Sequence, residues 1–364
     1  MGTLISVASG KGGVGKSVVS ANLALALAKS GRQVILADLD VGGADAHILF
    51  GELNPPVTLT DFLNRRVSRL DEAVIPISIH PNLRLIVGTG ETLATANMAY
   101  ARKKRLTKQF RDLEADIVVI DIGAGTNYHA LDFFLMADLH LAVATPEPTA
   151  VLDLYRFIKL AAIRRVLAGF LARSPLSEVL SNRDFTSVEE VLEVAGAGDV
   201  WGRDAAADTL QSFRPGLVIN RVSDGSNVNV SYLRKVLHQY VGGDLILLGE
   251  IPDDPAVSRA VRNFLPVIEA APESSAAKGL LALTVAVEKL VSAYALSKGE
   301  TPVLGRKQTT RALGNNSTIS QDPQITVQLN PEIPPSAREV RLPAAIPPEL
   351  QTASLPRTVE TNRV

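Results

Sequence analysis

Short apolar runs alternate with longer stretches of helical period over the first 170 residues. Residues 4–8 are almost wholly apolar, the pattern of a strand buried on both faces. Residues 16–30 follow as an Ala- and Leu-rich helix closed by Gly31. The next strand is expected at 34–37, ending before Asp38-Leu39-Asp40. A short helix is expected at 58–63, with Thr58 or Thr60 able to cap it. Strands at 83–87, 117–120 and 139–144 alternate with helices at 100–113, 128–136 and 149–171. Strands that alternate with helices predict a parallel sheet covered on both faces, an α/β fold. Such sheets bind ligands at the carboxyl ends of their strands. A glycine loop, Asp38 with Asp40, and Asp121 all fall at those ends.

Residues 172–213 mix Ser, Gly, Ala and acids and predict a small helical insertion. The sheet pattern resumes with strands at 216–220 and 245–248, and helices at 230–240 and 275–296. In the last helix Leu280, Leu283, Val287, Val291 and Tyr294 recur at three- and four-residue steps, the stripe of a core helix. Glu288 and Lys289 interrupt that helix, so it does not read as a membrane span. From 297 to 364 the pattern stops: nine prolines occur in 68 residues, with no aromatic residue. Such a segment buries too little apolar area to offset chain entropy, so a disordered tail is expected after a folded domain of residues 1–296.

Composition narrows the chemistry. Of 364 residues, 46% are hydrophobic and 21% charged, and the net charge is −1, so no dominant phosphate-neutralising surface is implied. The densest basic run is Arg102, Lys103, Lys104 and Arg105, with Arg164-Arg165 a second. Both read first as solvated helix faces. The absence of cysteine excludes disulfides, thiolate metal sites and a cysteine nucleophile.

Gly10-Lys11-Gly12-Gly13-Val14-Gly15-Lys16-Ser17 matches the phosphate-loop pattern in full, between a buried strand and a helix. Glycines let successive backbone N–H groups turn toward phosphate oxygens, and the helix adds the positive end of its dipole. The nucleotide-binding set is this loop with Val18 behind it. Lys16 is placed to reach the terminal phosphates of ATP, and Ser17 to ligate Mg2+. Residues 117–120 followed by Asp121 fit a strand that ends in a magnesium-binding acid, and Gly123-Ala-Gly-Thr126 supplies a mobile loop after it. Asp38 and Asp40 suit work near the metal and its waters. His47 reads as packing or capping.

Lys11 is not required by the general loop. With Lys11-Gly-Gly-Val-Gly-Lys16-Ser17 the chain resembles the MinD/ParA family of P-loop ATPases (SIMIBI type). The likeness spans about residues 1–296, is tight to 160, and looks nearest to the FlhG/FleN flagellar-number regulators. The resemblance implies an ATP-dependent homodimer in which Lys11 reaches the partner's nucleotide. It implies catalytic roles for Lys11, Lys16 and Asp40, metal contacts from Ser17, Asp38 and Asp121, and Asn220 near the base. It also implies a protein partner that stimulates hydrolysis and a cytoplasmic location; peripheral association with the inner face of the membrane stays open, and hydrolysis alone is expected to be slow because no arginine finger stands at these motifs. Pro356 and the lack of a bulky apolar face set residues 350–364 apart from a membrane-targeting helix. Two other readings stay open: a DNA-partitioning ATPase and a metabolic ATP-dependent ligase of the same fold.

Overall fold

The computed structural model describes residues 2–40, 43, 45–88, 100–171, 185, 187–198, 202–223 and 228–299. The tail from residue 300 onward, and residues 172–184, 186 and 199–201 of the expected insertion, lie outside the described residues.

Eight strands form one sheet. They are β1 (Thr3–Ala8), β2 (Val34–Leu39), β3 (Val74–Pro76), β4 (Leu83–Ile86), β5 (Ile117–Ile122), β6 (Leu139–Ala144), β7 (Gly216–Val222) and β8 (Ile246–Pro252). Their order is β3-β4-β2-β5-β1-β6-β7-β8, so β1 lies inside, between β5 and β6. Every pairing is parallel except β3 with β4. The antiparallel edge strand was not expected. It has three residues and includes Pro76, too short for a period and tolerable only at an edge.

Helices cover both faces. They are α1 (Lys16–Lys29), α2 (Leu59–Leu63), α3 (Tyr100–Arg111), α4 (Tyr128–Leu135), α5 (Pro148–Leu171), α6 (Val188–Gly198), α7 (Gly202–Gln211), α8 (Val230–Val241), α9 (Pro255–Arg262), α10 (Val267–Ala270) and α11 (Ser275–Ser297). Thr58 caps α2 in a reciprocal capping box with Asp61. Two apolar clusters result. One joins β1, β5 and β6 to α4 and α5. The other packs α1, α9 and α11 on the opposite face. In α11 the stripe Leu280, Leu283, Val287 and Val291 is buried, as expected of a core helix. By length and composition alone this helix is also apolar enough to cross a membrane.

Two strands run further than their apolar residues suggest. β2 was expected to stop before Asp38 and β5 to end in Asp121; both aspartates are buried inside strands that run on to Leu39 and Ile122, paired with each other in register. A charged residue commonly marks a strand end. Here both acids are accommodated inside the sheet because a buried lysine and backbone donors meet them. Asn220 lies within β7, which runs on beyond the expected 216–220 to Val222.

Candidate functional site

The loop between β1 and α1 is held from several sides. Ser9 donates to the Lys11 carbonyl at 3.0 Å, and the Gly125 N–H donates to the Ser9 carbonyl at 3.0 Å. A Cβ on Gly10 would lie 2.2 Å from the Asp153 carbonyl oxygen, so the approach of the α5 backbone demands glycine there. Gly13 and Gly15 have φ of 81° and 84°, the left-handed region that glycine enters without strain. Added Cβ atoms at Gly12 and Gly13 meet nothing within 4 Å: this is the open side of the loop. The N-terminus of α1 has Gly15 as its cap, no side-chain cap, and no acid in its first turn. Its N–H groups and dipole are therefore available to an anion.

Behind the loop stands a compact charge cluster. The Lys16 ammonium is buried, 2.8 Å from Asp121 Oδ1 and 3.9 Å from Asp40 Oδ2. It lies 3.4 Å from the Ser17 hydroxyl. Ser20, one turn along α1, donates to Asp121 Oδ1 at 2.9 Å. Asp38 accepts from the backbone N–H of Asp40 at 2.9 Å and of Ala46 at 3.0 Å. Burial, and then the Asp121 charge, push the Asp38 carboxyl up to about 7. Asp121 Oδ2 is buried and accepts no hydrogen bond. A buried carboxylate oxygen without a partner suits a cation or a water on that cation, so the donor set fits magnesium.

Lys16, Ser17, Asp38, Asp40 and Asp121 thus converge. Lys11 stands apart from them. It is exposed on the lip of the loop, and its ammonium donates to the Thr149 hydroxyl at 3.0 Å. Asn220 meets the loop from the other side, donating from Nδ2 to the Val14 carbonyl at 2.8 Å. It also lines a cleft of about 430 Å³ beside the loop, with Gly15, Val18, Ile251, Val257 and Leu280. The size and the mostly apolar lining suit a small planar group. Of the loop after β2, Val41, Gly42 and Ala44 lie outside the described residues.

The sequence reading overlooked Ser20, Thr149 and the backbone of Asp153. Ser20 had a signal: it is a hydroxyl four residues after Lys16 on a face of α1 otherwise made of Ala, Val and Leu. The other two come from α5, distant in sequence, and carry no local signal. The basic runs are largely engaged. Lys103 and Arg164 pair with Asp132, Arg105 lies over the Phe62 ring at 4.5 Å, and Arg165 over Phe213 at 5.5 Å.

The model of the CobQ/CobB/MinD/ParA nucleotide binding domain matches residues 5–267. The chain belongs to this family. The match takes in the loop, Asp38, Asp40, Asp121, Asn220 and the cleft residues up to Arg262, while Leu280 of the cleft lies beyond it. Among relatives of the MinD/ParA kind, the antiactivator FleN of Pseudomonas aeruginosa is 29% identical over 287 residues, 78% of this chain and 86% of FleN. The flagellum site-determining protein YlxH of Helicobacter pylori is 36% identical over 162 residues, 43% of this chain and 52% of YlxH. The cell division ATPase MinD of Pyrococcus furiosus superposes with a TM-score of 0.56 at 25% identity, covering 80% of this chain and 100% of MinD. MinD of Pyrococcus horikoshii, solved in complex with Mg-ADP, shares the fold at 23% identity and a TM-score of 0.56, covering 81% of this chain and 99% of that one.

Proposed function

We propose that this chain is an ATP-driven dimer switch, and that its cycle sets the number or place of a cell structure, flagellar or of the division-site kind. The observation that carries this reading is the contrast between two lysines of one loop. Lys16 is buried and matched by acids of its own chain. Lys11 is exposed and, among the described residues, bonds the Thr149 hydroxyl alone. A lysine in that position is free to serve a phosphate presented by a second copy.

In this reading Lys16 turns from Asp121 toward the terminal phosphates, and the N–H groups of Gly12 to Ser17 cradle them. Bound magnesium neutralises phosphate charge. Ser17, Asp38 and Asp121 hold it directly or through water. Asp40 orients a water for attack on the terminal phosphorus, so ATP and water become ADP and phosphate. The cleft beside Asn220 takes the base. Hydrolysis is slow in isolation, because no arginine of the described loops reaches the cluster, and a protein partner in the cytoplasm or at the membrane accelerates it. The names of the flagellum site-determining YlxH and the septum site-determining MinD of Thermotoga maritima support the spatial role.

Light scattering tests the switch. The parent is expected to be monomeric with ADP and dimeric with ATP, and Lys11→Ala to stay monomeric with ATP while still binding it. A Lys11→Ala protein that dimerises as the parent does would overturn the bridging role. Phosphate release in the absence of any metabolite separates this reading from a ligase.

A further inference from the structure

Phe264 breaks a local rule. Its φ is 56°, a left-handed backbone that a bulky side chain seldom adopts and glycine or asparagine takes readily. It follows α9, where the Phe264 N–H donates to the Val261 carbonyl and the Leu265 N–H to the Ala260 carbonyl, closing a tight turn. Strain of this kind persists where packing compensates it or where the side chain has work elsewhere. Packing does not compensate it here: Phe264 is 43% exposed and Leu265, beside it, 36%. The turn holds two large apolar side chains out toward water.

The charge around this tip has one sign. From Pro255 to Leu265 there are two arginines, Arg259 and Arg262, and no acid. Both are exposed, and neither pairs with a carboxylate among the described residues. The nearby acids are committed elsewhere. Asp254 caps α9 and bonds Ser275, and Glu269 pairs with Lys29. An apolar pair flanked by unpaired guanidinium groups is complementary to a surface that is apolar within and anionic at its rim. A bilayer with anionic headgroups is such a surface: the aromatic and leucine side chains enter the acyl boundary while arginine stems lie along it and their heads bind phosphates.

We propose that the turn Asn263–Leu265, with Arg259 and Arg262, is a membrane-contact tip selective for anionic lipid. The tip lies in the folded domain; Arg262 also lines the cleft assigned to the base, so the test is run without nucleotide and varies Phe264, Leu265 and Arg259, which keeps it separate from the dimer switch. The full chain is sedimented at low salt with phosphatidylglycerol-containing vesicles and with pure phosphatidylcholine vesicles. The parent is expected to pellet with the first and not the second. Phe264→Gly and Leu265→Ser are each expected to abolish pelleting. Arg259→Gln is expected to lower it about fivefold, the effect of one basic group at an anionic surface, and added salt to lower it further. Phe264→Gly also has an internal check: it relieves the backbone strain, so its thermal midpoint is expected to rise while its vesicle binding is lost. A parent that stays in the supernatant with anionic vesicles overturns the proposal and leaves the tip as a protein contact. A Phe264→Gly protein that pellets as the parent does overturns it equally.

Discussion

Asn220 shows how one side chain ties two parts of the site together. Its amide sits under the phosphate loop, bonded to the Val14 carbonyl, while its flank lines the cleft. A Cβ on Gly15 would fall 2.3 Å from that amide nitrogen, so glycine at 15 and asparagine at 220 fit as a pair. Asn220→Ala leaves a buried carbonyl unsatisfied, a cost of about 1–3 kcal/mol to the loop's geometry. The expected outcome is a nucleotide affinity lower by about tenfold or more, read by titrating a fluorescent ATP analogue. Equal affinity would show that the loop holds its shape without the brace. The single-residue signals in the sequence were strongest where backbone chemistry restricts the choice of residue. The loop glycines and Lys16 are of that kind. Thr149 is not, because its contact with Lys11 exists only once α5 is folded over the loop.

At the level of elements, buried polar residues lock the strands to their helices. His140 of β6 lies against Phe134 and Phe213, with Ser6 of β1 at 3.4 Å. Burial, with Arg165 adding to it, lowers its imidazole from 6.5 to about 4. The unfolded chain therefore takes up this proton at a higher pH than the folded one does. The stability tied to His140 is complete above pH 6.5 and is lost as pH falls toward 4, a loss of about 3 kcal/mol. His140→Phe is expected to flatten that acid limb in urea melts taken across the interval; an unchanged limb would remove His140 from the account. Asp138, two residues before His140, plays a similar part near the start of β1. It accepts from the Leu4 N–H at 2.9 Å, from Arg111 at 3.0 Å and from the Tyr294 hydroxyl at 2.6 Å, joining β1, α3 and α11. Asp138→Ala is expected to cost about 2–4 kcal/mol in the same urea assay.

These locks also explain what the apolar pattern conveyed and what it did not. Leu139–Ala144 and the stripe of α11 are legible from the pattern, because their inward positions are apolar apart from His140 and Thr284. The ends of β2 and β5 do not, because Asp38 and Asp121 are strand residues that look like loop residues until Lys16 is placed beside them. The helices α9 and α10 were missed for a plainer reason. They have eight and four residues, too few to show a period. The reading at 58–63 succeeded at similar length because Thr58 and Asp61 announce its start chemically.

Seen as a whole, the molecule gathers its chemistry at one end of a sheet whose central strands carry it. β2, β5, β1, β6 and β7 are consecutive neighbours. β1 leads into the phosphate loop, β2 and β5 bring the aspartates, and β7 brings Asn220. Ligand binding at such a place connects many elements, so nucleotide is expected to raise the unfolding midpoint of the entire domain. The register of β2 against β5 has a further result. It sets Asp38 directly opposite Asp121, and burial first, then the facing charge, lets the Asp38 carboxyl keep a proton near neutral pH. With its pKa raised from 3.8 to about 7, Asp38 favours the folded state most at low pH, and that contribution fades as pH rises through 7. A magnesium ion taken up beside it would displace the proton. Loading with Mg-ATP at pH 7 is then expected to acidify the medium, seen as a binding heat that varies with the ionisation enthalpy of the buffer. Heats identical in every buffer would mean that Asp38 enters the complex already ionised. If the heats do vary, the same two facing carboxylates make the cell's pH a silent third ligand, competing with the metal for one seat.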